Sequence, residues 1–180
     1  MSKIQDTIAD RGSTTMMEED RAGKYLTFKL AAEEYGLEIL RVREIIGLMD
    51  ITEVPQTPYY IRGIINLRGS VIPVMDLRLK FGMETTADTD QTCVIVVEIN
   101  SGDKSIATGL VVDSVSEVLD IAGDQIEDSP SFGSDIDTDY ILGIGKIGEM
   151  VKILLNIDKV LDDDKTIIKG ITKKKKEKAE

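Results

Sequence analysis

The 180-residue chain is 42% hydrophobic but only 4% aromatic and carries a formal net charge of −11, so aliphatic side chains must fill whatever core it builds. It contains no histidine and a single cysteine, Cys93. Those absences exclude a Ser-His-Asp triad, an imidazole metal ligand, a phosphohistidine relay on this chain, an internal disulfide and any multi-thiolate metal site.

Residues 1–22 alternate charged and small polar side chains without a strand period and read as a flexible N-terminal arm, with neither a signal peptide nor a membrane span. Leu26, Phe28 and Leu30 then alternate with Thr27 and Lys29, the pattern of a half-buried strand, and Tyr35 to Ile39 reads as its return. Val42, Ile45 and Ile46 recur at helical spacing, which predicts a short helical turn. Beyond Pro55 and Pro58, strands are expected at Ile64–Leu67 and Val71–Met75, joined by a turn at Arg68-Gly69. Asp76 is placed to cap a short helix that ends at Gly82.

A polar loop, Met83–Gln91, leads to a hairpin of Thr92–Asn100 and Lys104–Val112 around Ser101-Gly102-Asp103. Cys93 opens the apolar run Cys93-Val94-Ile95-Val96-Val97, which predicts a packed rather than reactive thiol. Another polar loop, Asp124–Asp139, is interrupted by Phe132; strands Tyr140–Lys146 and Met150–Asn156 and a helical turn at Asp158–Leu161 follow. Residues 163–180 end in a lysine run and read as a solvated, charged tail. About ten short strands with brief helical turns imply an all-β barrel or sandwich. No repeat with a period of 20–50 residues is evident.

Charge is unevenly spread. Residues 84–139 hold fourteen acidic side chains and one basic one, Lys104, whereas residues 41–80 hold six basic ones and five of the seven arginines. The acidic surface argues against nucleic-acid binding, which rests on neutralising phosphates. It leaves protein docking open, where arginine is favoured.

Three motifs imitate chemistry. Gly143-Ile144-Gly145-Lys146-Ile147-Gly148 matches a dinucleotide fingerprint, but the following Met150–Leu155 reads as strand where that site needs a helix, so a glycine-rich hairpin is expected. Asp135-Ile136-Asp137-Thr138-Asp139 opens like a calcium loop, yet Tyr140 and Lys146 stand where glycine and the bidentate glutamate belong. Asp162-Asp163-Asp164 offers adjacent carboxylates near a chain end, a place where a water-excluded acid is not expected. No cofactor is therefore expected. The remaining feature is Ile61-Arg62-Gly63-Ile64-Ile65-Asn66-Leu67-Arg68-Gly69, which places two Arg-Gly pairs around an apolar strand. An arginine on a rigid turn is a good interface anchor; the plainer account is a turn with solubilising charges.

These runs, in this order, resemble the CheW family. The resemblance begins at Lys24-Tyr25-Leu26-Thr27-Phe28 and continues through Tyr35-Gly36-Leu37-Glu38-Ile39-Leu40-Arg41-Val42-Arg43-Glu44-Ile45, Asn66-Leu67-Arg68-Gly69 and Ile72-Pro73-Val74-Met75-Asp76-Leu77-Arg78. It extends over Gly109 to Leu119 and closes with Tyr140 to Gly145 and Ile153 to Ile157, about 140 residues in all. It implies two intertwined five-stranded SH3-like barrels over residues 23–162, flanked by the arm and the tail. It also implies a cytoplasmic, non-catalytic chemotaxis adaptor, recruited to membrane-associated receptor arrays. Its partners would be the cytoplasmic tip of methyl-accepting chemoreceptors and the regulatory domain of a CheA-type histidine kinase, with no nucleic acid and no membrane insertion. The residues it assigns to partner surfaces are Val42, Glu44, Asn66, Arg68, Gly69, Val115 and Val118, with Phe132 on a second contact that closes kinase–adaptor rings. Glu127-Asp128 departs from the family pattern, in which some relatives carry a basic residue before that aromatic. Two rivals stand beside this reading: an adaptor domain of a longer coupling protein with a receiver module, and a small enzyme or ligand-binding barrel using the acidic loop.

Overall fold

The run that begins at Cys93 explains why the chain builds two lobes. Val94 and Val96 point into one apolar cluster with Ile65, Ile72, Val74 and Val111, while Ile95, Val97 and Ile99 point into another. A strand covered on both faces must be apolar at every position, not at alternate ones. The computed structural model describes residues 21–130 and 138–171.

Among the described residues, eleven strands form two sheets. The first lobe holds β1 (Gly23–Leu30), β2 (Glu33–Glu38), β8 (Ser114–Ile121), β9 (Ile126–Glu127), β10 (Ile141–Ile147) and β11 (Met150–Leu155) in the order β8-β1-β2-β11-β10-β9. The second holds β3 (Val42–Gly47), β4 (Ile61–Leu67), β5 (Ser70–Asp76), β6 (Cys93–Ser101) and β7 (Lys104–Val112) in the order β3-β6-β7-β5-β4. The chain therefore starts in the first lobe, crosses to the second after β2, and crosses back after β7. Paired backbone hydrogen bonds between Thr52 and Ile64, 2.9 and 2.8 Å, return the segment after β3 to β4 and close the second sheet on itself. The expected all-β architecture of paired lobes is present, although one sheet has six strands because of the two-residue β9.

Each lobe has its own interior. Tyr25, Ile121, Ile126 and Leu154 fill the first, and the Ile65–Val111 cluster fills the second. Between them lies a shared core that takes Leu26, Phe28, Leu37 and Leu155 from one sheet and Met75, Ile95, Val97 and Leu110 from the other. Each such side chain contributes about 1.5–3 kcal/mol on burial, so the lobes are held together by the same force that holds each of them.

Several local expectations hold. The short helix α1 (Leu77–Lys80) is capped by Asp76, whose Oδ1 accepts from the Leu79 N–H at 3.2 Å. The β6–β7 hairpin turns at Gly102, and β10 with β11 form the glycine-rich hairpin, followed by strand and not by helix. The helix α2 (Ile157–Val160) matches the expected final turn.

Four expectations are corrected. The segment Val42–Gly47 is strand, not a helical turn: Val42, Glu44 and Ile46 are half-buried between exposed Arg43 and Ile45, and pairing with β6 overrides the helical spacing. Strand β8, and the short β9 inside the presumed loop, were not expected from periodicity. The tail begins later than residue 163: a helix over residues 165–171 (α3) buries Ile168 and Ile171 in the shared core. Asp164, expected to be solvated, is fully buried against Tyr60 and Lys80. The arm to residue 20, Phe132 with the start of the Asp135–Asp139 run, and the lysine run lie outside the described residues.

The two lobes are copies of one design. Tyr60, Ile61, Gly63, Met75 and Asp76 match Tyr140, Ile141, Gly143, Leu155 and Asn156 at a constant offset of 80 residues. Both hairpins bulge at the same place, between Ile61 and Gly63 and between Ile141 and Gly143. Asp76 N donates to Tyr60 O at 2.7 Å as Asn156 N donates to Tyr140 O at 2.8 Å. The other half repeats at an offset of 73: Gly36-Leu37, Val42 and Glu44 match Gly109-Leu110, Val115 and Glu117. Gly36 and Gly109 serve one purpose, because a Cβ on either would stand 2.8 Å from the aliphatic side chain it packs on, Leu154 or Val94.

Candidate partner interface

The arginine turn comes first. Arg68 and Gly69 form the two-residue β4–β5 turn with φ of 51° and 88°, a left-handed pair that a hairpin of this length requires. Asn66 Oδ1 accepts from the Gly69 N–H at 2.9 Å and stiffens that turn. The Arg68 guanidinium does not project freely: Nη1 and Nη2 each donate at 2.8 Å to the two carboxylate oxygens of Glu44. Glu44 lies on β3, at the opposite edge of the sheet, so the fork ties the two edges of the second lobe. The hydrogen bond from Arg68 holds the Glu44 carboxyl below its usual range, and Glu44 in turn raises the guanidinium.

On β3, Val42 stands opposite Val97 and leans on the shared core, and a bulge separates it from Glu44. On β8, Val115 stands opposite Phe28 and also leans on the shared core, with a bulge before Val118. Val118 is 49% exposed, as is its counterpart Ile45 at 44%. The predicted residues thus divide between lobes: Val42, Glu44, Asn66, Arg68 and Gly69 on the second, Val115 and Val118 on the first. Val42 on β3 and Val115 on β8 occupy equivalent places on edge strands of the two sheets. The symmetry breaks at the arginine, since Gly148 stands where Arg68 would have its counterpart.

Between the lobes is an open cleft of about 490 Å³ lined by Lys29, Gln91, Cys93, Ser114, Val115 and Ser116. Of the predicted residues only Val115 lines it. Burial pushes the Cys93 thiol up, against a hydrogen bond with the Val115 backbone, so the thiol is a half-buried packing group. Ser116 donates to Glu34 at 3.1 Å, and Glu34 also pairs with Lys152, whose ammonium is lowered by burial and then by Lys29. Motif reasoning missed Lys29, Gln91, Ser114 and Ser116 because they come from separate segments with no shared signature; only the duplication makes Glu117 legible as the twin of Glu44. In the acidic pair that departs from the family pattern, Glu127 pairs with Lys146 at 2.7 Å and Asp128 with Arg21 at 2.6 Å, so both are answered by the chain's own cations.

Among the described residues no group of three or more His, Cys, Asp or Glu side chains is placed to hold a metal ion. No described helix is long and apolar enough to cross a membrane.

A family model described as the CheW-like domain matches residues 24–165. The chain belongs to the CheW family. The chemotaxis protein CheW of Klebsiella aerogenes is 40% identical over 141 residues, spanning 78% of this chain and 82% of that protein. The chemotaxis protein CheW of Bacillus subtilis is 34% identical over 134 residues, spanning 74% and 81%. Among solved structures, that of the scaffolding protein TtCheW from Thermoanaerobacter tengcongensis superposes with a TM-score of 0.69 at 38% identity, over 78% of this chain and 93% of that one. As a CheW-family chain it is a chemotaxis scaffold.

Proposed function

We propose that this chain couples the cytoplasmic tip of methyl-accepting chemoreceptors to the regulatory domain of a CheA-type histidine kinase. It does so in the cytoplasm, within membrane-associated arrays, and makes or breaks no bond itself. The observation that carries this reading is the duplicated pair of outer strands. Each presents a Val-x-Glu run on a sheet edge, and two equivalent faces suit a molecule that must hold two different partners at once. The Arg68–Glu44 fork makes the faces unequal, which supplies a basis for telling the partners apart. Signalling then works by geometry: receptor conformation shifts the kinase between two populations through a scaffold of fixed shape.

The ligand-binding-barrel rival is not favoured, because apolar side chains pack both barrel interiors. Calorimetric titration of the chain with the kinase regulatory domain, and separately with a receptor cytoplasmic fragment, tests the proposal. Binding to both is expected; an absence of binding to either one refutes it.

A further inference from the structure

At each crossover between the lobes, an arginine and an aspartate form a bidentate pair. At the first, the turn Ile39–Arg41 leads from β2 to β3. Arg41 Nη1 and Nη2 donate to the two oxygens of Asp158 on α2 at 2.6 and 2.7 Å. Arg41 also donates to Glu98 O at 2.8 Å, and the Asn100 N–H donates to Asp158 at 3.1 Å. A helix that follows the last long strand of the first lobe is thereby pinned to β6 of the second.

At the second crossover the same knot is tied with the charges exchanged. Asp113, between β7 and β8, accepts from Arg78 Nε and Nη2 on α1 at 2.7 and 2.8 Å. Its backbone N–H donates to Lys29 O at 3.1 Å, and its carboxylate accepts from the Ala31 N–H at 2.8 Å. Here a helix of the second lobe is pinned to the end of β1 in the first. Lys29 and Ala31 correspond to Glu98 and Asn100 at an offset of 69 residues, and Arg78 corresponds to Asp158 at the offset of 80. Leu40-Arg41-Val42 likewise corresponds to Asp113-Ser114-Val115 at the offset of 73. In both knots a carboxylate holds the same backbone N–H. It comes from the helix in one and from the crossover in the other.

The four side chains are 17–28% exposed, which screens them less than an open surface pair. Arg fork–carboxylate geometry is also directional, so it restricts angle as well as distance. We propose that these two charge-exchanged clamps fix the angle between the lobes, making Arg41, Asp158, Arg78 and Asp113 positioning residues for the partner cleft. The consequence for partners rests on the coupling reading above; the angle itself does not.

The test is pulsed electron-paramagnetic-resonance distance measurement on the full chain, with Cys93→Ser and spin labels at Lys104→Cys and Glu149→Cys, exposed positions on the hairpins of the two lobes. The intact clamps give one narrow distance. Arg41→Ala broadens or displaces it, and Arg41→Ala with Arg78→Ala does so further. The triple variant Leu40→Asp, Arg41→Ser, Asp158→Arg transplants the second clamp into the first site and restores the narrow distance. An unchanged distance in the double alanine variant overturns the proposal, as does a transplant no better than Arg41→Ala. Should the double variant fail to fold, the single variant and the transplant carry the same comparison. Titration of each clamp variant, unlabelled and with Cys93 retained, against the kinase regulatory domain separates the two readings. Affinity that falls and recovers with the distance supports the positioning role, and affinity lost at an unchanged distance overturns it. Intact clamps that give a narrow distance in the labelled chain, with no kinase binding by the native chain, sink the coupling reading and leave the clamps standing.

Discussion

Replacing Asp164 with alanine removes a buried carboxylate that two half-buried partners share. The Tyr60 hydroxyl donates to one oxygen and the Lys80 ammonium lies 2.6 Å from the other. The Asp164 side chain is 1% exposed and that of Lys80 16%. Breaking a buried pair costs roughly 3–5 kcal/mol, because the remaining charge is left uncompensated. Lys80 keeps a narrow path to solvent and sits 4.6 Å from the Tyr60 ring centre, so the loss belongs near the lower limit, about 3 kcal/mol. For a chain of this size that lowers Tm by roughly 6–12 °C. Differential scanning calorimetry reads the shift directly, with Asp162→Ala, exposed two residues away, as a control expected within about 0.5 kcal/mol. A loss below about 1 kcal/mol for Asp164→Ala would refute the claim that the segment after α2 is part of the fold.

Three further outcomes follow from the same geometry. Arg68→Ala should weaken partner binding while the melting temperature stays close to the parent, and Arg68→Lys should not rescue it, since an ammonium cannot make the two-pronged contact with Glu44; calorimetric titration beside thermal melting checks both. Gly63→Ala should cost more than about 2 kcal/mol or prevent folding, because φ is +144° and a Cβ would stand 2.1 Å from the Thr52 carbonyl oxygen that closes the second barrel; urea unfolding measures it. In acid, the depressed carboxyls of Asp113 and Asp158 set the sign. Asp158 is held down first by its Arg41 bond, and Asp113 by Arg78 and the Ala31 N–H against the opposing effect of burial. A carboxyl with a lower pKa in the fold stabilises above its unfolded value, 3.8 here, and that contribution disappears as pH falls below it. Stability should therefore drop below about pH 4, and less steeply in Asp113→Asn and Asp158→Asn, by pH-dependent denaturation.

Much of this architecture is written in local patterns. The run Val94–Val97, the Asp76 cap and the Arg68-Gly69 turn each follow from elementary rules of period, capping and positive φ, and each appears where those rules place it. The misread segments have tertiary causes. Val42–Gly47 has helical spacing but becomes strand because β6 offers it a register, and its bulge shifts the alternation that a period count relies on. Asp164 looks like one of three solvated aspartates until Lys80 and Tyr60, 84 and 104 residues away, arrive to cover it. The duplication is hard to read in the sequence because its segments run at offsets of 69, 73 and 80, longer than solenoid periods and unequal to one another. Of the candidate site, the motif residues Arg68 and Val115 are readable in the sequence; the cleft is not, because its walls are assembled only by folding.

Under the proposed coupling, receptor state reaches the kinase through the shape of this chain alone. The most direct measurement is autophosphorylation of a CheA-type kinase reconstituted with receptor fragments, with and without this protein, as attractant is added. Control of the kinase by attractant should be present only with the chain added and should be lost with Arg68→Ala. Equal control without the chain, or none with it, would refute that coupling.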